Sequence, residues 1–255
     1  MIFKELGNAA DPTVLLLHGG GLSWWSLQTV SGQLAQNYHV VAPVIDGHGE
    51  DGAETFVSIQ DSAAKVIRYI KESCCGQIFA LGGLSIGAQI AVEVLAQEPA
   101  ITQFAILESA LVYPIKGAAA LAAPTYKLCY GLIRQRWFAK LQAKELCVPM
   151  ASFERYYRDS IQMSKESLIN ITLSNGNYPM PSALSQTKAK VLIIVGGKEL
   201  SVMKKSAERL HAAISGSTLY VADGMKHGEL SLAHPEAYLS LMTKFWENMG
   251  KERNK

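Results

Sequence analysis

Five residues near the middle of the chain, Gly83-Leu84-Ser85-Ile86-Gly87, form a G-x-S-x-G pattern. Such a pattern serves acyl chemistry when the serine sits in a sharp strand-to-helix turn. Small neighbours let crowded backbones pass, and the turn lifts the hydroxyl out of the sheet edge. Taken alone the pattern is weak, so its setting decides. An apolar run at 77–81 (QIFAL) precedes it and a helical period begins at Ile86. Gly-rich turns of this kind also cradle phosphates. However, neither G-x-x-x-x-G-K-[ST] nor G-x-G-x-x-G stands at a strand–helix junction here.

Acyl transfer also needs donors for the oxyanion and a base for the hydroxyl proton. His18-Gly19-Gly20-Gly21 follows the apolar run 13–17, and its glycines allow backbone N–H groups to turn inward. The Gly20 amide is the candidate to pair with that of Ile86, which heads the helix after the serine. His18 itself reads as a structural histidine. Of the six histidines, His227 lies in the polar loop Asp223-Gly224-Met225-Lys226-His227-Gly228, directly after the last apolar run. A loop there brings an imidazole to Ser85, so His227 is the candidate base. Glu199, in the Gly196-Gly197-Lys198-Glu199 turn after the run 190–195, gives the order Ser…Glu…His and is the first choice for the orienting acid. Glu108, closing the run 103–107, is the second. Asp223 is read as shaping its loop.

These residues need a frame. Near-continuous apolar runs at 13–17, 38–42, 77–81, 103–107, 190–195 and 218–222 suit strands buried on both faces of a parallel sheet, with 1–6 as an antiparallel edge. Helical periods fill the intervals: 59–70 behind a capping-box pattern at Ser58, then 86–97, 203–213 and 235–249. The alternation predicts an α/β fold, a mostly parallel sheet with helices on both faces. Residues 113–181 break the rhythm and read as an inserted helical subdomain, with stretches separated by Pro124, Pro149 and Asn175-Gly176. Residues 1–112 and 182–255 form the core domain. The stretch 113–180 carries nine Lys/Arg against four Asp/Glu, net +5 in a chain of net +2. That charge suits either solvated helices or an anionic substrate or surface meeting this face.

Composition narrows the remaining classes. With 49% hydrophobic and 18% charged residues the chain is not disordered, and a net charge of +2 does not fit a dedicated nucleic-acid binder. The four cysteines lack metal-ligand spacing and read as reduced thiols. No secretory leader or membrane span is legible, so a cytoplasmic location and no stable membrane insertion are expected.

Together, His18-Gly19-Gly20, Gly47-His48-Gly49, the turn at 83–87, Gly196 to Glu199, and His227 resemble the α/β-hydrolase superfamily. The nearest branch carries a serine nucleophile and a helical cap between the family's sixth and seventh strands. The resemblance covers nearly the whole chain. It implies Ser85 as nucleophile, His227 as base, Glu199 as acid, and the Gly20 and Ile86 amides as oxyanion hole, with no cofactor and no metal. It also implies residues 113–181 as the cap, with Trp24, Tyr126, Tyr130 and Trp137, among other aromatics, as candidates to border a small-molecule ester. Glu199 stands where aspartate is usual, Val44-Ile45-Asp46 where Asp-x-Pro is common, and Ala88 where a further glycine often follows. The implied activity is carboxylic ester hydrolysis through an acyl-enzyme. Lactone or C–C bond hydrolysis with the same residues, and a ligand sensor that does not turn over, are the alternatives.

Overall fold

The computed structural model describes residues 1–115 and 117–252. Lys116, one of the charges counted in the insert, lies outside the described residues. The strands are β1 (Ile2–Leu6), β2 (Thr13–Leu17), β3 (His39–Val44), β4 (Ile78–Leu84), β5 (Thr102–Glu108), β6 (Lys190–Gly196) and β7 (Thr218–Ala222). They form one sheet in the order β1-β3-β2-β4-β5-β6-β7, and only β1 runs antiparallel to its neighbour. The expected edge strand is therefore present.

Side chains alternate across the sheet with period two. Leu15, Leu17, Leu81, Ala105, Leu107, Val191 and Ile193 face one core, packed by α2 (Ile59–Ser73), α3 (Ile86–Gln97) and α8 (Ser201–Ala213). Val14, Leu16, Ala80, Phe104, Ile106, Leu192 and Ile194 face the other, covered by α1 (Gln28–Leu34) and α10 (Pro235–Glu252). Ser58 caps α2 as its sequence predicts, with its hydroxyl accepting the Asp61 N–H at 3.0 Å.

Between β5 and β6 lie α4 (Ala118–Cys129), α5 (Arg136–Glu145), α6 (Phe153–Gln162) and α7 (Lys165–Gly176). Counted along this chain the insert thus follows the fifth strand. Pro124 does not separate two helices but sits inside α4. A proline removes one N–H donor and disfavours a helix, and here the helix continues past it with α7 alongside. Phe153 and Tyr156 join Leu22 and Trp25 in a small third core. Polar anchors reinforce it. The Trp25 Nε1–H donates to Asp159 Oδ2 at 2.7 Å, the Phe56 N–H to Ser167 Oγ at 3.1 Å and the Ile59 N–H to Ser174 Oγ at 3.0 Å. Among the described residues no helix is long and apolar enough to cross a membrane.

Candidate active site

Ser85 follows β4 and caps α3 with φ 55° and ψ −115°, a left-handed conformation rare for a residue with a side chain. Its flanking glycines are sterically required. A Cβ on Gly83 falls 2.3 Å from the Gly87 carbonyl oxygen, and one on Gly87 falls 2.5 Å from that of His18. The turn is tied to the next strand, since the Ser85 N–H donates to the Glu108 carbonyl at 2.9 Å.

Two further strand ends converge on the serine. Gly196, closing β6, passes so near the His227 loop that a Cβ there would meet the Met225 carbonyl oxygen at 2.5 Å. The Lys198 N–H donates to that same carbonyl at 2.9 Å, and the Gly197 N–H donates to Ala222 at 2.8 Å. This stitching fixes the turn bearing Glu199 against the loop bearing His227. His227 Nδ1 lies 2.7 Å from Glu199 Oε2, and its Nε2 lies 2.9 Å from Ser85 Oγ. With Glu199 ionised, Nδ1 carries the proton and Nε2 accepts from the hydroxyl.

Environment keeps Glu199 ionised. Burial opposes the charge, but hydrogen bonds from His227, the Gly196 N–H and Ser109 outweigh it and hold the carboxyl below its ordinary range. The carboxylate is fully shielded from solvent, whereas the imidazole remains 44% exposed. An imidazole so placed can take the hydroxyl proton and return it to a leaving group.

Glu108, the second candidate acid, does not contact the imidazole by hydrogen bond. Its carboxyl is buried, accepts the Ser231 N–H at 3.3 Å, and is pushed up to about 7 by desolvation. His18 is likewise structural: its Nδ1 donates to the Gly19 carbonyl at 2.9 Å and its Nε2 accepts the Ile45 N–H at 3.1 Å. Burial lowers its pKa to about 3, so it stays neutral and pins the glycine loop. Gly20 packs beside Ile86, a Cβ on it falling 3.6 Å from Ile86 Cγ2. Among the described residues neither the Gly20 nor the Ile86 amide has a protein acceptor.

A cavity of about 500 Å³ opens above Ser85 and Gly20, within the usual range for small-molecule sites of roughly 300–1,000 Å³. The insert supplies most of its wall, including Tyr126, Ile133, Tyr156, Met163, Leu168 and Ile171. Tyr126 is placed as expected. Trp24, Tyr130 and Trp137 are not among the lining residues. Trp24 stacks under the Arg155 guanidinium at 5.0 Å, and the Tyr130 hydroxyl is turned to the Met163 carbonyl at 2.8 Å. Trp137 lies a helical turn before Leu141 on α5, beyond the cavity, and is 58% exposed. Aromatic type marks packing or a surface position as readily as a binding wall: Trp24 packs partly against the third core, and Trp137 is exposed.

Of the two readings of the insert's charge, the cavity gives no support to an anionic substrate: among the described residues its lining contains the acidic Glu145 and no basic residue. Several cations of the insert lie over aromatic faces instead, as Arg136 does over Tyr157 at 4.9 Å and Lys165 over Tyr130 at 5.7 Å. Sequence reading passed over Ser109, whose hydroxyl donates to Glu199 Oε1 at 2.8 Å. Its place at the carboxyl end of β5, next to Glu108, was the available signal.

The family model described as the Alpha/beta hydrolase family matches residues 14–241, and the chain belongs to that family. It is 26% identical over 251 residues to a pimeloyl-[acyl-carrier protein] methyl ester esterase of Neisseria meningitidis, spanning 92% of this chain and 94% of that one. Among solved structures, a thermophilic esterase from Thermogutta terrifontis superposes with a TM-score of 0.75 at 17% identity, covering 97% of this chain and 93% of that one. The enol-lactonase from Burkholderia xenovorans LB400 gives 0.78 at 14% identity, covering 96% of each chain. At such identities the structural likeness concerns the fold.

Proposed function

We propose that the protein is a serine hydrolase of carboxylic esters acting through an acyl-enzyme. One observation carries this reading: an unbroken hydrogen-bonded chain from Ser85 through His227 to a buried carboxylate, at the floor of an apolar cavity. His227 Nε2 takes the Ser85 proton as Oγ attacks the ester carbonyl. The oxyanion is held by the Gly20 and Ile86 amides, an interaction typically worth about 3 kcal/mol or more per donor. The tetrahedral adduct collapses, and the alcohol leaves with the proton from His227. Water, deprotonated by the same imidazole, then releases the acid and restores Ser85. Glu199 holds the imidazole in the required tautomer, and these steps call for neither metal nor organic cofactor.

Residues 113–181 act as the cap that covers the acyl group. The apolar walls at Ile133, Met163, Leu168 and Ile171 suit an uncharged acyl chain, and the methyl ester esterase among the relatives supports an ester as the scissile group. Steady-state assays with p-nitrophenyl esters of graded chain length, alongside a lactone panel, test the reading. Many turnovers by the wild type and none by Ser85→Ala are expected. Sustained turnover by the alanine variant would sink it, and a single stoichiometric release would replace it with a sensor.

A further inference from the structure

A second serine with a left-handed backbone stands beside the first. Ser109, directly after β5, has φ 57° and is only 2% exposed. Its own N–H continues the ladder to β6 by donating to the Ile194 carbonyl at 2.9 Å. Glycine adopts this backbone without strain and would serve if only the turn mattered. What serine adds is a hydroxyl, and that hydroxyl is fully used. It donates to Glu199 Oε1 at 2.8 Å and accepts the Gly228 N–H at 3.3 Å, next to His227.

The consequence lies in how the carboxylate is held. Oε1 of Glu199 receives two donors, Ser109 Oγ and the Gly196 N–H at 2.7 Å, which leaves Oε2 to His227 alone. Glutamate has one more rotatable bond than aspartate, so its carboxylate is free to swing unless a second donor fixes the plane. The dipeptide Glu108-Ser109 thus bonds to Ser85, to Glu199 and to the residue after His227, because the Glu108 carbonyl also accepts the Ser85 N–H at 2.9 Å. We propose that Ser109 is a positioning residue for ester hydrolysis, clamping the Glu199 carboxylate in the plane that orients His227 and holding the His227 loop through Gly228.

The proposal rests on the hydrolase reading above, and the test keeps the two apart. Full-length wild type, Ser109→Gly and Ser109→Ala are compared by melting temperature, active-site titration with a fluorophosphonate, and kcat and KM on one p-nitrophenyl ester. Glycine relieves the left-handed strain and offsets part of the loss of the two hydrogen bonds, so Ser109→Gly should melt above Ser109→Ala. Its kcat per titrated site should fall roughly 10- to 100-fold, the range expected for losing a hydrogen bond to a charged group, with KM essentially unchanged. The acidic limb of its kcat/KM profile should also move to higher pH. Glu199 then keeps only His227 and the Gly196 N–H to favour its ionised form, with the Glu108 carboxyl nearby opposing it. Ser109→Ala, which retains a Cβ, should reproduce both changes. Unaltered kcat per titrated site with an unmoved acidic limb in both variants overturns the clamp while leaving the hydrolase reading intact. A wild type that neither titrates nor turns over overturns both.

Discussion

Glu108 and Glu199 lie near the same histidine at the ends of neighbouring strands, and their surroundings shift their ionisation in opposite directions. Glu108 Oε1 accepts one backbone N–H, and its Oε2 has no partner among the described residues. Desolvation raises the carboxyl from an ordinary 4.5 to about 7. The folded protein therefore keeps a proton that the unfolded chain releases between those values. Stability from this group is fully present below about pH 4.5 and is lost as the pH rises through about 7. At about 1.4 kcal/mol per pH unit, the interval corresponds to about 3 kcal/mol. Glutamine has nearly the same shape and cannot ionise, so Glu108→Gln should remove the dependence. Urea unfolding of both proteins from pH 5 to pH 8 measures it. The variant should gain about 2.5 kcal/mol on the wild type between the two ends, since part of the effect is already lost by pH 5, with other titrating groups cancelling in the difference. Its ester turnover should remain close to wild type, whereas Glu199→Gln should lose roughly 10⁴-fold in kcat because an amide cannot hold the required tautomer. Parallel stability curves for wild type and Glu108→Gln would refute the assignment of a neutral buried acid.

Other perturbations probe the turn, the cavity and the insert. In Gly87→Ala the new Cβ meets backbone oxygens of His18 and Leu17 at 2.5 and 2.6 Å; a destabilisation of about 3 kcal/mol or more is expected, and an unchanged melting temperature would contradict the packing argument. Leu168→Trp narrows the cavity wall, so kcat/KM should drop for longer acyl esters and hold for acetyl esters; an equal loss across chain lengths would place the acyl group elsewhere. Trp25→Phe deprives the buried Asp159 of its 2.7 Å donor and should destabilise the protein by about 1–3 kcal/mol in urea unfolding, a result that an exposed or water-satisfied Asp159 would not give.

The frame and the candidate site residues were legible because each leaves a local trace. Parallel strands show as near-continuous apolar runs, and β2 and β7 match theirs to the residue; β7, however, lies at the sheet edge with Tyr220 and Val221 exposed, so its run does not mark burial on both faces. The glycines at 83 and 87 are forced by backbone contacts, so the sequence cannot hide them. His227 and Glu199 were readable as polar, glycine-bearing turns at strand ends. The cavity wall was not legible. Its residues are Leu, Ile, Met and Tyr, which are equally at home in a helical core, and the side chosen depends on how four helices dock. Ser109 stayed hidden for a related reason: its place at the end of β5 gains meaning only once its contact with Glu199 is seen. Pro124 misled because a proline at one position in α4 lowers helix stability without ending the helix.

Mass spectrometry of the protein quenched in acid during turnover of a slow ester tests the central chemistry most directly. The account predicts a mass increase of one acyl group, carried by the peptide containing Ser85, that accumulates and then decays as product appears. An acyl group found on another residue, or steady product release with unmodified Ser85 under conditions where acylation outpaces deacylation, would contradict it.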